Sequence, residues 1–415
     1  MSLTVRSERV DDARPLLDIA LDLPDVHRSV FVREGDGIVA AGEAATVDVP
    51  AGIGRTSAAR ERFDALLSGA SIDDSVGLPG SGAVAIGSFT FDPEAAGSVL
   101  RVPRVVVGHR DGVTWRTTIT ADEPAPLPVT DPQDIPAARA GGPNRPRYAG
   151  STVEDAAWLE AVVDTVEAIR TGRFAKVVLA RDVRMWSRTP FMIDAVLERL
   201  AARFPSCFTF LVDGLVGASP ELLLRRDGST VSSRVLAGTA PRGHDAADDA
   251  RLGATLLASE KDRWEHDLAA RSVTDVLERC CSSVTVVDGL SLVRLDNVQH
   301  LGSDVTGTLH DDVHVLDLLD ALHPTAAVAG TPRDAALAHI RDVEGMGRGR
   351  YAGPVGWCDA DGDGEFALAL RCAQIDGNRA RLFAGAGIVD GSLPEAELME
   401  TWLKLRAMTD VLTRR

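Results

Sequence analysis

The sequence is sparing with cysteine, short of positive charge and free of long apolar runs, and each shortage removes a class of protein. The five cysteines are Cys207, Cys280, Cys281, Cys358 and Cys372. None makes a C-x-x-C pair, the number is odd, and adjacent Cys280 and Cys281 are a poor disulfide framework. Reduced, mostly buried thiols in a cytoplasmic protein are expected. Lys and Arg number 44 against 61 Asp and Glu, a formal net charge of −17. That excludes nucleic acid or an anionic membrane as the main partner, and an anionic substrate would need a local basic pocket or a metal ion against the overall field. No apolar run reaches about 18 residues, so no membrane-spanning helix is expected. The opening MSLTVRSERVDDARP lacks the apolar stretch of a secretory signal. The nine histidines form no H-E-x-x-H, and no zinc site is expected. What is present is 45% hydrophobic residues in 415, enough for a sizeable core.

Strand-like runs come in groups joined by short turns. Val30–Asp48 alternates around Glu34-Gly35-Asp36-Gly37, a hairpin signature. Ala83–Phe91, Leu100–Val107 and Val113–Ile119 predict strands, and Ser57–Leu67 an amphipathic helix. Residues 121–150 are rich in proline and read as a linker or a covering loop. Ser151 and Thr152 precede acidic first-turn residues of a helix that ends at Gly172. Ala175–Trp186 predicts a strand and Ile193–Phe204 a helix. Cys207–Gly217 and Leu222–Arg226 predict strands separated by a tight turn at Gly217–Glu221. A helix through Leu256–Leu277 follows, then strands at Val284–Val287, Leu292–Leu295 and Asn297–Thr308, and helices at Val313–Ala321 and Asp334–Ile340. Val355–Cys358, Phe366–Ile375 and Arg379–Ala384 predict an antiparallel meander before a last helix, Pro394–Leu412. One strand per helix is not the pattern, so the expectation is α+β with packed, largely antiparallel sheets surrounded by helices. Residues 1–120 form a β-rich N-terminal part of that fold, and residues 151–415 its larger part.

The stretch Leu256–Asp267 organises the chemistry. At helical spacing Glu265 shares a face with Ala254, Ala258, Ala269 and Val276. A carboxylate on such a stripe is costly to bury without a cation or a donor. One reading is an ion pair with Lys261, four residues earlier. The last helix offers another: Glu397, Glu400 and Lys404 share a face with Ala407 and Val411. Two helices that each carry a glutamate on an apolar face suggest a closed site for a hard cation, and oxygen-only ligands point to magnesium. Removing one of these carboxylates would then relieve a buried charge and is expected to stabilise the fold.

Other motifs have two readings each. Asp359–Gly364 resembles the start of a calcium loop, but Leu370 stands where the closing acid belongs, and a polar hairpin turn explains it. Gly385-Ala386-Gly387 lacks the third glycine of a dinucleotide site; it is a glycine turn, or a place where backbone closely approaches an anion. His300 is a satisfied core histidine or a ligand contact. Lys176, in an otherwise apolar strand, is an edge lysine reaching for solvent or a general base in a desolvated cleft. Glu221 is a solvated turn acid or the complementary general acid.

Taken in order, several segments are similar to the chorismate-utilising enzymes. They are KVVLAR at Lys176–Arg181, GASPE at Gly217–Glu221, LAGT at Leu236–Thr239, SEKD at Ser259–Asp262 with Glu265, HPT at His323–Thr325, GAGIV at Gly385–Val389, and Glu400-Thr401 with Lys404. Within that group they most resemble isochorismate synthases. The resemblance implies magnesium held by Glu265 and Glu400, with Glu397 supporting through water. It implies that the ring carboxylate lies near the ion, the Gly238 amide and His300, with Thr239, Ala327 and Val328 also lining the substrate site. Arg371, Lys404 and the Gly385 backbone would take the enolpyruvyl carboxylate. Lys176 is the implied base for water and Glu221 the implied acid. Aminating relatives carry a non-basic residue at the Lys176 position, and one branch has a covalent lysine where Ala237 stands. Salicylate synthases have threonine where Ala327 stands, although the AAVA wording itself departs from the commoner proline-containing form. Isochorismate would feed menaquinone or a catechol-type siderophore. The expected partner is the small-molecule substrate alone, bound by a monomer.

Overall fold

The computed structural model describes residues 2–122 and 145–413. Most of the proline-rich segment at 121–150, and with it the choice between linker and covering loop, lies outside the described residues. Two large sheets, of thirteen and nine strands among the described residues, carry helices around them. Their central strand pairs are antiparallel, with a parallel pair at one edge between β1 (Leu3–Arg9) and β5 (Ser71–Asp74). The expected α+β architecture is present. One apolar cluster joins Phe31 and Phe210 of the larger sheet to Phe89 and Phe366 of the smaller.

The N-terminal hairpin pairs β2 (Ser29–Arg33) with β3 (Asp36–Ala41). Its two turn residues, Glu34 and Gly35, have φ of 53° and 94°. Such a turn matches the twist of the strands it joins. Asp359 closes the turn between β19 (Pro354–Asp359) and β20 (Gly364–Leu368) by accepting from the amides of Gly80, Asp361 and Asp363. This is the polar hairpin expected of that motif.

Several boundaries differ from the sequence expectation. Leu100–Val107 is two strands in different sheets, β7 (Val99–Val102) and β8 (Val105–Arg110). Pro103 stands between them and has no N–H to continue a ladder. Cys207–Gly217 is a hairpin of β12 (Phe208–Val212) and β13 (Leu215–Ser219), turned at Asp213-Gly214 with φ of 50° and 75°. Ser151 and Thr152 do not cap α3 (Asp155–Arg170), because Thr152 donates its amide and hydroxyl to the Asp182 carboxylate instead, at 2.6 Å each.

The long helix is also two: α5 (Ala246–Ala258) and α6 (Glu260–Cys280). Ser259 between them has ψ of 114°, and its hydroxyl accepts from the Asp262 amide as the N-cap of α6. Capping chemistry overrode the absence of Pro and Gly. Ala254 and Ala258 therefore do not share a stripe with Glu265.

Two passages of chain between the sheets matter most. From β13 in the larger sheet the chain passes through Pro220 and Glu221 to β14 (Leu222–Asp227) in the smaller. It returns from β20 to β21 (Cys372–Asp376) through Arg371, whose φ is 47°. The expected single strand Phe366–Ile375 is broken there. Both passages line one cleft.

Candidate active site

The cleft holds roughly 590 Å³ of space free of atoms, part of it open to solvent. Its walls include Glu221, Gly238, Thr239, Glu265, His300 and Arg371. Ala327, Val328, Gly385 and Lys404 complete the expected lining. Lys176, Glu397 and Glu400 stand behind this surface.

Lys176 opens β11 (Lys176–Trp186). One neighbour of that strand is β22 (Arg379–Ile388), and the two-residue strand β18 (Gly330–Thr331) covers the other side, with Lys176 opposite Thr331. The edge-lysine reading is thereby excluded: Lys176 is fully buried, with Nζ 3.2 Å from Oε1 of Glu265. Gly387 makes that approach possible. It lies within β22, so the glycine-turn reading fails. A Cβ there would stand 2.0 Å from Glu265 Oε1 and 3.2 Å from Lys176 Cε.

Glu265 thus pairs with Lys176 rather than Lys261. Lys261 instead donates to Glu397 at 2.7 Å. Lys404 donates to Glu400 at 2.6 Å and to the Gly385 carbonyl at 2.8 Å. Each of the expected metal-binding glutamates is held by a lysine. Among the described residues, no three His, Cys, Asp or Glu side chains stand in ligating positions. The carboxylates are nonetheless gathered: burial alone would lower the Lys261 pKa, but Glu397, Glu265 and Glu400 together hold it above its ordinary value. The Glu397 carboxyl is pushed up by burial and by Glu400 beside it.

Glu221 is buried at the passage between sheets, its amide donating to the Ser219 hydroxyl at 3.3 Å. Burial pushes its carboxyl up to about 8, against the opposing pull of the Leu236 amide and the charges of Lys176, Arg371 and Lys404. The solvated-turn reading is excluded. A carboxylic acid that keeps its proton near neutral pH can donate it.

Gly238 is the bulge residue of β15 (Thr230–Pro241), with φ of 76°. It presses on α6, where a Cβ would lie 3.1 Å from Asp262 Cβ. His300, opposite Thr239 in the partner strand, accepts at Nε2 from Arg371 Nη2 at 2.9 Å. Nδ1 therefore carries the proton and faces the Gly238 carbonyl at 3.2 Å and the Thr239 hydroxyl at 3.1 Å. Burial first, then Arg371, holds this imidazole neutral, well below the usual histidine range. Arg371 is itself buried and its Nε has no partner among the described residues, a donor left for a ligand oxygen.

Sequence reasoning missed Tyr351 and Arg348, both on the cleft wall. Tyr351 stacks on Phe383 with ring centroids 5.0 Å apart and planes 8° from parallel. Arg348 is buried, pairs with Glu344 and donates to the carbonyls of Val328 and Val178 at 2.8 Å each. It ties the Ala327–Val328 wall to β11. The four-residue spacing of Glu344 and Arg348 was the available signal.

Comparisons with known proteins give the family. The family model described as chorismate binding enzyme matches residues 7–413. The isochorismate synthase MenF of Bacillus subtilis is 40% identical over 259 residues, 61% of this chain and 55% of that protein. The salicylate biosynthesis isochorismate synthase of Pseudomonas aeruginosa is 43% identical over 274 residues, 63% of this chain and 56% of that protein. The matches thus span little more than half the length of these curated relatives. Among solved structures, the menaquinone-specific isochorismate synthase MenF of Escherichia coli superposes with a TM-score of 0.79 at 25% identity, covering 99% of this chain and 94% of that one.

Proposed function

The chain belongs to the chorismate binding enzyme family, and from that premise we propose that it is an isochorismate synthase. The observation that carries the reading is a base and an acid buried together, the amine of Lys176 behind Glu265 of the cleft wall and the proton-holding carboxyl of Glu221 on that wall, with the cations Arg371 and Lys404 lining the same cleft. A dianion needs the cations, and replacing one hydroxyl by another needs an acid and a base. The amine of Lys176 takes a proton from water, the water oxygen bonds to ring carbon 2, both ring double bonds shift by one position, and the carbon 4 hydroxyl leaves with the proton of Glu221. Substrate and product are isomers, so no redox partner enters. Arg371 and Lys404 hold the enolpyruvyl carboxylate, with the free Nε of Arg371 aimed for a second bond. Neutral His300 holds Arg371 in that pose.

Glu265 and Glu400 would hold a magnesium ion, with Glu397 behind them through water. The donor chemistry suits magnesium, carboxylate oxygens on two helices joined by the Lys261–Glu397 bond, although each carboxylate is held here by a lysine that the ion would displace. Bound there, the ion supplies Lewis acidity toward the ring carboxylate. The soluble, cytoplasmic setting expected from the thiols is part of this proposal. Four of the five free cysteines are buried, and no helix among the described residues is long and apolar enough to cross a membrane.

Product identity tests the reading. Chorismate incubated with the protein and magnesium, without ammonia, is expected to yield isochorismate with only trace pyruvate. Expelling pyruvate requires the enolpyruvyl side chain folded over the ring, and Ala327 offers no hydroxyl to favour that pose. Ala327→Thr is expected to raise the pyruvate-to-isochorismate ratio. A lactate dehydrogenase-coupled assay decides: stoichiometric pyruvate from the unaltered protein would make it a salicylate synthase.

Gly387 supplies an independent check on the site. Gly387→Ala puts a methyl where the Glu265 carboxylate stands. Displacing that group by about 1 Å is expected to cost roughly a hundredfold in kcat. Steady-state kinetics beside thermal unfolding would show this. Wild-type kcat in a folded variant would remove Glu265 from the reacting arrangement.

A further inference from the structure

A second cavity adjoins the segment that walls the catalytic cleft: His323 and Pro324 line the one, Ala327 and Val328 the other. It holds about 890 Å³ of space free of atoms, part of it open to solvent. Two helices begin on it, α2 (Arg55–Leu67) behind Gly54 and α8 (Arg333–Val343) behind Pro332. Neither has a side chain capping its first turn. The free N–H groups of both starts present partial positive charge to the same space.

The second observation is Arg55. It lines the cavity, is only 4% exposed, and Nε and Nη1 have no partner among the described residues. Its remaining nitrogen donates to the Thr90 carbonyl. Burial pulls its pKa down to about 10, despite the charges of Asp320 and Asp92 nearby. Those carboxylates have other partners: Asp320 accepts from the Thr56 hydroxyl at 3.0 Å, and Asp92 holds Arg341 at 2.6 and 2.8 Å. Glu94 lies 3.3 Å from Arg341, and Asp334 is exposed in the first turn of α8. Arg333 donates Nη2 to the carbonyls of Ala321 and Leu322. Arg55 is the buried cation of the lining with donors to spare. The rest of the lining is apolar: Leu319, Leu337, Pro93 and Ile53.

We propose that this cavity binds a small carboxylate with an apolar body, an aryl or branched alkyl acid. The carboxylate meets Arg55 and the two helix starts, and the body lies against Leu319, Leu337 and Pro93. An inorganic oxyanion would satisfy the charge and leave the apolar walls wet. The site stands whatever reaction the neighbouring cleft performs.

Calorimetric titration of the full chain with benzoate tests it. Binding is expected in the unaltered protein and is retained in Arg371→Gln, which removes the free guanidinium of the catalytic cleft. Arg55→Gln is expected to weaken it at least about tenfold, the loss of a charge-assisted bond. Neutral benzamide is expected not to bind. Ile53 is 90% exposed, so Ile53→Glu leaves folding untouched while placing a like charge at the cavity; it too is expected to weaken binding. The proposal is overturned by wild-type affinity in Arg55→Gln or Ile53→Glu, by loss of binding in Arg371→Gln, or by benzamide binding as well as benzoate. Should Arg55→Gln fail to fold, the Ile53→Glu result decides.

Discussion

Lys176→Ala and Glu221→Ala are each expected to lower turnover by at least about a hundredfold, the ordinary scale of a lost general base or acid. Glu221→Gln is nearly as poor as alanine, because an amide cannot give up a proton to a departing hydroxyl. Chorismate affinity stays close to wild type, which separates a part in the chemical step from one in binding. Glu221 also sets a pH signature. Its carboxyl titrates at about 8 in the folded protein against an ordinary 4.5. The fold prefers the neutral form, so stability from this group is full below about 4.5 and is lost as pH rises through about 8. Activity declines on the same alkaline side as the acid loses its proton, and that limb is absent from the residual rate of Glu221→Gln. A Lys176→Gln variant with full water-dependent activity would overturn the base assignment.

Glu265→Ala and Glu400→Ala are each expected to abolish magnesium-dependent turnover. Their effects on the fold differ, and the sign for Glu265 is the reverse of that expected from sequence. A lone buried carboxylate would be better removed. Glu265 is not alone, since removing it leaves the fully buried Lys176 nitrogen without its partner at 3.2 Å, a loss of about 1–3 kcal/mol. Glu400 leaves behind Lys404, which keeps its bond to the Gly385 carbonyl and is partly exposed, so the penalty is smaller. Glu265→Gln keeps the shape and isolates the metal question from the folding one. Magnesium titration by calorimetry, run beside chemical unfolding, reads both. Near-wild-type turnover of either variant at low magnesium would sink the assignment.

The arrangement of antiparallel runs was legible because hydrophobic alternation and turn residues are local, as at Glu34-Gly35. Two of the boundaries that failed, at Pro103 and at Arg371, involve a change of sheet. The apolar run through Leu100–Val107 carries no mark of belonging to two sheets beyond Pro103, and nothing local distinguishes Arg371 from its strand neighbours. Among the expected site residues, those on the cleft wall were recognisable as ordered motifs, but their pairings were not. Spacing along one helix suggested Lys261 for Glu265. Tertiary packing chose Lys176, 89 positions away, because Gly387 leaves room and β18 seals the strand. A two-residue strand is too short to leave a pattern. Arg348 was missed for another reason: its spacing from Glu344 marks an ion pair but not a site, because its work is to bond carbonyls of distant segments, and main-chain acceptors look alike in every sequence.

The passages at Glu221 and Arg371 have a consequence for how this protein can fail. Each residue sits where the chain leaves one layer for the other, so neither belongs to a unit that could persist if the layers part. A partly opened molecule keeping either sheet intact would retain most of its backbone bonding and still have no acid and no arginine in register. Inactivation would therefore precede or coincide with loss of regular structure, never follow it. The same wiring limits breathing: one layer cannot swing outward to admit a larger substrate without dragging the reacting groups with it.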